Sequence, residues 1–177
     1  MPLSLPELWA LDHAAAFLHA RLADSEGARV LALAPADAGE AVLTRFPQAH
    51  LGDTGAARCS GAVWFKPSGN WAGQLAQLVR ALGPSAPFAI VISGRLTSHP
   101  QPTSAMLVRQ AREFGFSVER VLGFGSPVTL AAAAAVRGAR MASRLDVADR
   151  GEAAYRLSAR PKAAARLSLC SLVLARA

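Results

Sequence analysis

Phosphate-cradling glycine loops, nucleophile elbows and metal-spaced histidines are all missing from this sequence of 177 residues. There is no GxxxxGK[ST], no G-x-S-x-G and no HExxH, which argues against a P-loop nucleotide triphosphatase, a serine hydrolase and a zincin. Cysteine is scarce as well: Cys59 and Cys170 are far apart, form no C-x-x-C, and lie in apolar runs. They read as reduced core thiols and point to a reducing compartment. Aromatic residues make up only 6% of the chain, so the stacking platforms that hold unpaired bases are few. Long hydrophobic runs are absent too. The longest uncharged stretch, Val121 to Val136, has 16 residues interrupted by Gly123, Gly125 and Pro127, short of the roughly 20 needed to span a bilayer. Residues Met1 to Ala10 carry Glu7 and no Lys or Arg, so neither a secretory n-region nor a transit peptide is legible and the cytoplasm is the expected address.

What is present is an apolar, basic chain. Apolar residues make up 52% and charged residues 18%, a globular balance. A chain this long removes roughly 70% of its unfolded surface from water and needs neither disulfide nor metal to hold a core. The net charge is +7. Residues 137 to 177 hold nine basic groups against three acidic ones. Arg137, Arg140, Arg144, Arg156, Arg160 and Lys162 form the candidate basic patch, suited to a polyanion or an acidic protein face; a solvated arginine-rich surface explains the same charges.

The chain alternates helix and strand. Ser4 and Glu7 form a capping box, and Leu8, Leu11, Ala15, Leu18 and Leu22 follow at helical spacing, with Gly27 past the end. Arg29 to Ala34 reads as a strand stopped by Pro35, then a helix from about Asp37 to Phe46 with Asp37 and Glu40 as a second capping pair. Ala49 to Leu51 is a weak strand, Gly61 to Phe65 a stronger one. Asn70 caps a helix from Trp71 to Leu82, and Pro87 to Ser93 is the clearest central strand. A helix from Ser104 to Phe114 and a strand from Phe116 to Leu122 follow. An alanine-rich helix opens at Ser126-Pro127, and the chain closes with strand candidates at 153–159 and 167–175. This alternation predicts an α/β sheet that is mostly parallel, with an antiparallel last strand because no long helix precedes it.

Few residues suggest chemistry. Lys66, Asn70 and Trp71 follow an apolar strand and could line a cleft; Asn70 as helix cap and Trp71 as a staple onto the sheet is the plainer reading. His99 lies in a loop after the central strand, where open α/β sheets place ligands; an exposed loop histidine is the alternative. His13 and His19, six apart on one helix, do not share a face.

Taken together, the strand ending near Pro35, Leu51-Gly-Asp53, Gly61-Ala-Val-Trp-Phe65, the LVRALGP turn before the central strand and the REFGFSVERV junction resemble the class I S-adenosylmethionine-dependent methyltransferase family over residues 28 to 176. The resemblance implies a three-layer Rossmann-like sheet in a single domain covering residues 1–177. Residues 1–27 would form a helix packed on the sheet and residues 137–166 a basic segment before the last strand. It also implies a cofactor site after the first strand, at Pro35, Asp37 and Gly39, and at Asp53, which resembles the acid that meets the adenine after the third strand.

Here the sequence departs from the pattern. The turn Ala32 to Gly39 has one glycine, Pro35 offers no N–H, and alanine methyls stand where space is needed. Between Val30 and Asp53 there is room for only one helix and one short strand, so one strand-helix unit and the ribose-binding acid read as lost. The expectation that follows is a noncatalytic, methyltransferase-like accessory or scaffold protein with no cofactor, binding a protein partner. Two alternatives stand beside it: an active S-adenosylmethionine-dependent methyltransferase with an atypical turn, and a nucleic-acid-binding module using the basic C-terminal quarter.

Overall fold

The structure is a computed structural model that describes residues 3–25, 27–52, 58–67, 69–93, 102–125, 156–158 and 169–177. In chain order the elements are α1 (Leu5–Leu22), β1 (Val30–Leu33), α2 (Gly39–Arg45), β2 (Ala49–Leu51), β3 (Gly61–Phe65), α3 (Trp71–Ala81), β4 (Pro87–Ser93), α4 (Ser104–Glu113), β5 (Ser117–Phe124), β6 (Arg156–Ser158) and β7 (Cys170–Arg176). The expected alanine-rich helix after Ser126 and most of the basic segment lie outside the described residues.

One sheet of seven strands, ordered β2-β1-β3-β4-β7-β5-β6, forms the middle layer. β2, β1, β3 and β4 pair in parallel, while β7 inserts antiparallel between β4 and β5, pairing Ile90 with Val173 and Val121 with the same residue on its other side. The fold is therefore the α/β sheet expected, mostly parallel with its last strand reversed. β6 also runs antiparallel, against β5.

The unbroken apolar runs are explained by burial on both faces. Along β4 the side chains alternate: Phe88, Ile90 and Ile92 join the cluster under α3 and α4, whereas Ala89 and Val91 join the cluster under α1 and α2. α3 contributes Leu75 and Leu78 to its face, and α4 contributes Leu107, Val108 and Ala111. The opposite face is covered by Ala10, Leu11, Ala14 and Leu18 of α1, with Val42 of α2. The buried stripe of α1 is thus rotated from the expected one: Leu8 is only half-buried, and the small Ala10 and Ala14 let the helix approach the sheet.

Local signals hold at several ends. Asn70 accepts from the Gly73 N–H at 3.2 Å, and Thr103 accepts from the Met106 N–H at 3.3 Å, each satisfying a donor the helix start leaves open. α2 behaves differently. It begins at Gly39, with Ala38 as its N-cap and no side-chain cap bond, so Asp37 and Glu40 do not form the expected capping pair. Leu51 of β2 packs closely on the start of α2: a Cβ on Gly39 would stand 3.0 Å from Leu51 Cδ1. Between elements, Glu119 of β5 takes a bidentate bond from Arg21 of α1 at 2.7 and 3.0 Å and a contact from Arg176 of β7 at 2.5 Å.

Candidate functional site

The direction of the chain reverses across the sheet after β1. One connection leaves through α2 to β2 on one side, and the next strand in sequence, β3, pairs on the other. Open α/β sheets bind ligands in the crevice outside the carboxyl ends of the strands at such a switch point. The carboxyl ends of β1, β3 and β4 deliver Pro35, Lys66 and Ser93 to that rim.

A polar cluster assembles beside the switch point. Glu7 comes from the first turn of α1, although its local role as the capping-box acid is also fulfilled: its Oε2 accepts the Ser4 N–H at 2.7 Å. Its Oε1 accepts the Ser93 hydroxyl at 2.6 Å and meets Lys66 Nζ at 2.9 Å. The two side chains differ in exposure, 21% for Lys66 and 7% for Glu7. Burial pushes the Glu7 carboxyl up, but hydrogen bonds from Ser93, Lys66 and Ser4 more than reverse this, and its pKa lies below the ordinary carboxylate value. Glu7 is therefore a carboxylate at neutral pH. Cys170, paired with Ser93 in the sheet register, is wholly buried; burial first, and the Glu7 charge second, push its thiol pKa far up, which keeps it protonated and inert.

Lys66 is held in a special conformation. Its φ is +54°, in the left-handed region that a residue with a Cβ seldom occupies, and its N–H donates to the Val91 carbonyl at 2.8 Å. The ammonium also lies 5.1 Å from the centre of the Phe65 ring.

The remaining candidates disperse. Pro35 is half-buried and Asp37 exposed in the turn after β1. Ala38 donates its N–H back to the Pro35 carbonyl at 2.9 Å. Gly39 is buried, its open side filled by Leu51 as described, so that side offers a ligand no cradle. Asn70 is committed to capping α3. Trp71, half-buried, packs against the core cluster beneath α3. Asp53 and His99 lie outside the described residues, as do Arg137, Arg140, Arg144, Arg160 and Lys162. Arg156 belongs to β6.

β2 changes the reading of the strand that precedes Asp53. Ala49, His50 and Leu51 pair directly with Val30, Leu31 and Ala32, so this is the neighbour of the first strand rather than an outer third strand. Gly52, with φ +100°, donates its N–H to the Ala32 carbonyl at 3.3 Å, and a Cβ built on it would meet nothing within 4 Å.

Two grooves lined by described residues, of about 320 and 470 Å³, lie at the other end of the sheet, one beside Leu22 and Phe46, the other between Arg58, Arg80 and Phe114. Neither contains a member of the Glu7 cluster. Among the described residues no group of three His, Cys, Asp or Glu side chains could hold a metal, and no helix is long and apolar enough to cross a membrane.

No family model and no curated protein matches the sequence. Solved structures do match. A S-adenosylmethionine-dependent methyltransferase from Thermotoga maritima superposes with a TM-score of 0.54 at 11% identity, over 97% of this chain and 91% of its own. A candidate methyltransferase from Bacillus halodurans gives 0.52 at 14%, over 92% and 97%. The plantazolicin methyltransferase in complex with S-adenosylhomocysteine gives 0.50 at 10%, over 97% and 85%. The chain has the Rossmann-like fold of class I methyltransferases. At these identities the likeness concerns the fold. It nevertheless corrects one expectation, that of no cofactor: the plantazolicin enzyme carries S-adenosylhomocysteine on the same architecture, so the fold is one that holds this cofactor.

Proposed function

We propose that the chain binds S-adenosylmethionine along the carboxyl ends of β1 and β2 and transfers its methyl group to an acceptor seated over β3 and β4. The observation that carries this reading is the Glu7–Lys66–Ser93 cluster, three polar side chains from three elements gathered beside the switch point. Such a gathering costs desolvation, and it stands where open α/β sheets bind their ligands. Asp53 follows the strand next to the first, where the class I family places its ribose-binding acid, so that acid need not be lost.

S-adenosylmethionine would supply an electrophilic methyl for an acceptor lone pair, with S-adenosylhomocysteine as the leaving group and the acceptor's proton going to water. The chain's own residues position and exclude. Glu7 fastens the start of α1 across the ends of β3 and β4, and its ionised carboxylate fixes the Lys66 ammonium in place.

Isothermal titration with S-adenosylhomocysteine tests the reading. The wild type is expected to bind, and Asp53→Ala to weaken binding about tenfold, the worth of a hydrogen bond to a charged group. No heat and no thermal stabilisation at millimolar ligand would remove the proposal. A second reading, an accessory protein that binds a protein partner through the same fold, is favoured by the filled side of Gly39 and the missing N–H of Pro35, which narrow the crevice where the methionine tail would enter. Ligand binding without methyl transfer to any acceptor class, together with one stoichiometric co-purifying protein, would support that reading instead.

A further inference from the structure

We propose that Lys66 is a carboxylate-binding point of the crevice, taking either the carboxylate of the donor's amino-acid tail or one borne by the acceptor. The inference rests on the methyl-transfer reading of the crevice and adds a ligand chemistry to it. Its first support is placement, since Lys66 directly follows β3 at the rim of the switch point. The second is conformation: the left-handed backbone, at φ +54°, is retained although it is strained for lysine, and the N–H bond to Val91 fixes it. Strain of this kind collects where a side chain is held ready for a ligand.

The third support is the unequal state of the two partners. Glu7 is 7% exposed and Lys66 21%, so the cation is the member of the pair that faces outward. Glu7 also has the Ser4 N–H and the Ser93 hydroxyl as donors. A ligand that shares or draws off the ammonium therefore leaves no orphaned carboxylate. The ammonium has three donors, and Glu7 Oε1 engages it from one side. Because Glu7 already cancels most of the charge, a single anionic group suits the site better than a doubly charged phosphate. The Ser93 hydroxyl lies within the same cluster and can turn to such a group.

Two pairs of probes test this on the whole chain. The first is S-adenosylhomocysteine against 5′-methylthioadenosine, which lacks the amino-acid tail; the second is benzoate against benzamide, titrated with and without S-adenosylhomocysteine while the Lys66 and Ser93 amide resonances are followed by NMR. If Lys66 holds the donor's tail, Lys66→Met weakens S-adenosylhomocysteine about tenfold and leaves methylthioadenosine unchanged. If it holds the acceptor, Lys66→Met leaves both nucleosides unchanged and removes a benzoate-over-benzamide preference that Lys66→Arg keeps. Nucleoside binding that Lys66→Met leaves untouched, together with equal response to benzoate and benzamide, overturns the proposal and leaves the methyl-transfer reading standing. Where neither nucleoside binds, that reading falls, and the benzoate arm without nucleoside still decides for or against Lys66. Should Lys66→Met fail to fold, Lys66→Gln, which also removes the charge, takes its place in both arms.

Discussion

Glu7→Gln is the substitution that most directly measures what the crevice cluster does for the fold. It preserves shape and removes one charge. The glutamine oxygen can take the place of Oε1, accepting from Ser93 and Lys66, or of Oε2, accepting from the Ser4 N–H, but the NH₂ end must then face the Ser4 N–H or Lys66 Nζ, and donor meets donor. Losing charge-assisted bonds of this kind costs about 2 kcal/mol, less than the 3–5 typical of a fully buried pair broken at one end, because Lys66 is 21% exposed and can turn to water. For a chain of this length that lowers Tm by about 4–8 °C near neutral pH. The pH dependence is the sharper test. With the folded pKa of Glu7 below its ordinary value of 4.5, ionised Glu7 stabilises the fold above that value and the contribution is lost as pH falls through the folded pKa. Chemical denaturation of both proteins from pH 7 to pH 3 should show the gap between them constant down to about pH 5 and then closing. Parallel pH profiles, or a gap that widens in acid, would refute the reasoning.

Three further outcomes follow from other parts of the structure. Glu119→Gln removes the acceptor shared by Arg21 and Arg176; both arginines are well exposed, so the loss measured by urea denaturation should be about 0.5–1 kcal/mol at low salt and largely vanish at 1 M salt. Asn70→Ala should cost about 1 kcal/mol through the lost cap on α3, and if the residue only caps, S-adenosylhomocysteine affinity stays unchanged; a large affinity loss with intact stability would return Asn70 to the ligand site. Cys170, wholly buried with its thiol pKa pushed up, should resist iodoacetamide at pH 8 until the protein opens. Mass mapping that shows Cys170 labelled within minutes in the native state would contradict its place in the core.

Most of the sheet was legible because its strands are buried on both faces. Phe88 to Ile92 must be apolar at every position when alternate residues enter different clusters, and only the central part of a doubly covered sheet demands that pattern. Helix ends were legible where a side chain did the work, as at Asn70, and misread where distant packing did. Asp37 and Glu40 satisfy a local rule, yet α2 begins at Gly39 with Ala38 as its N-cap, where Leu51, twelve residues on, packs against the glycine. The candidate site divides in the same way. Lys66 stood out as a charge at the end of an apolar strand, but nothing adjacent to it names its partner. Glu7 does not stand out as a site residue, because the capping box at Ser4 gives its carboxylate a sufficient local reason to exist. One oxygen fulfils that reason while the other reaches Ser93 and Lys66. A side chain with two acceptors can obey a local rule and serve a distant site together, so a satisfied short-range motif in a first helical turn is no argument that the residue has nothing else to hold.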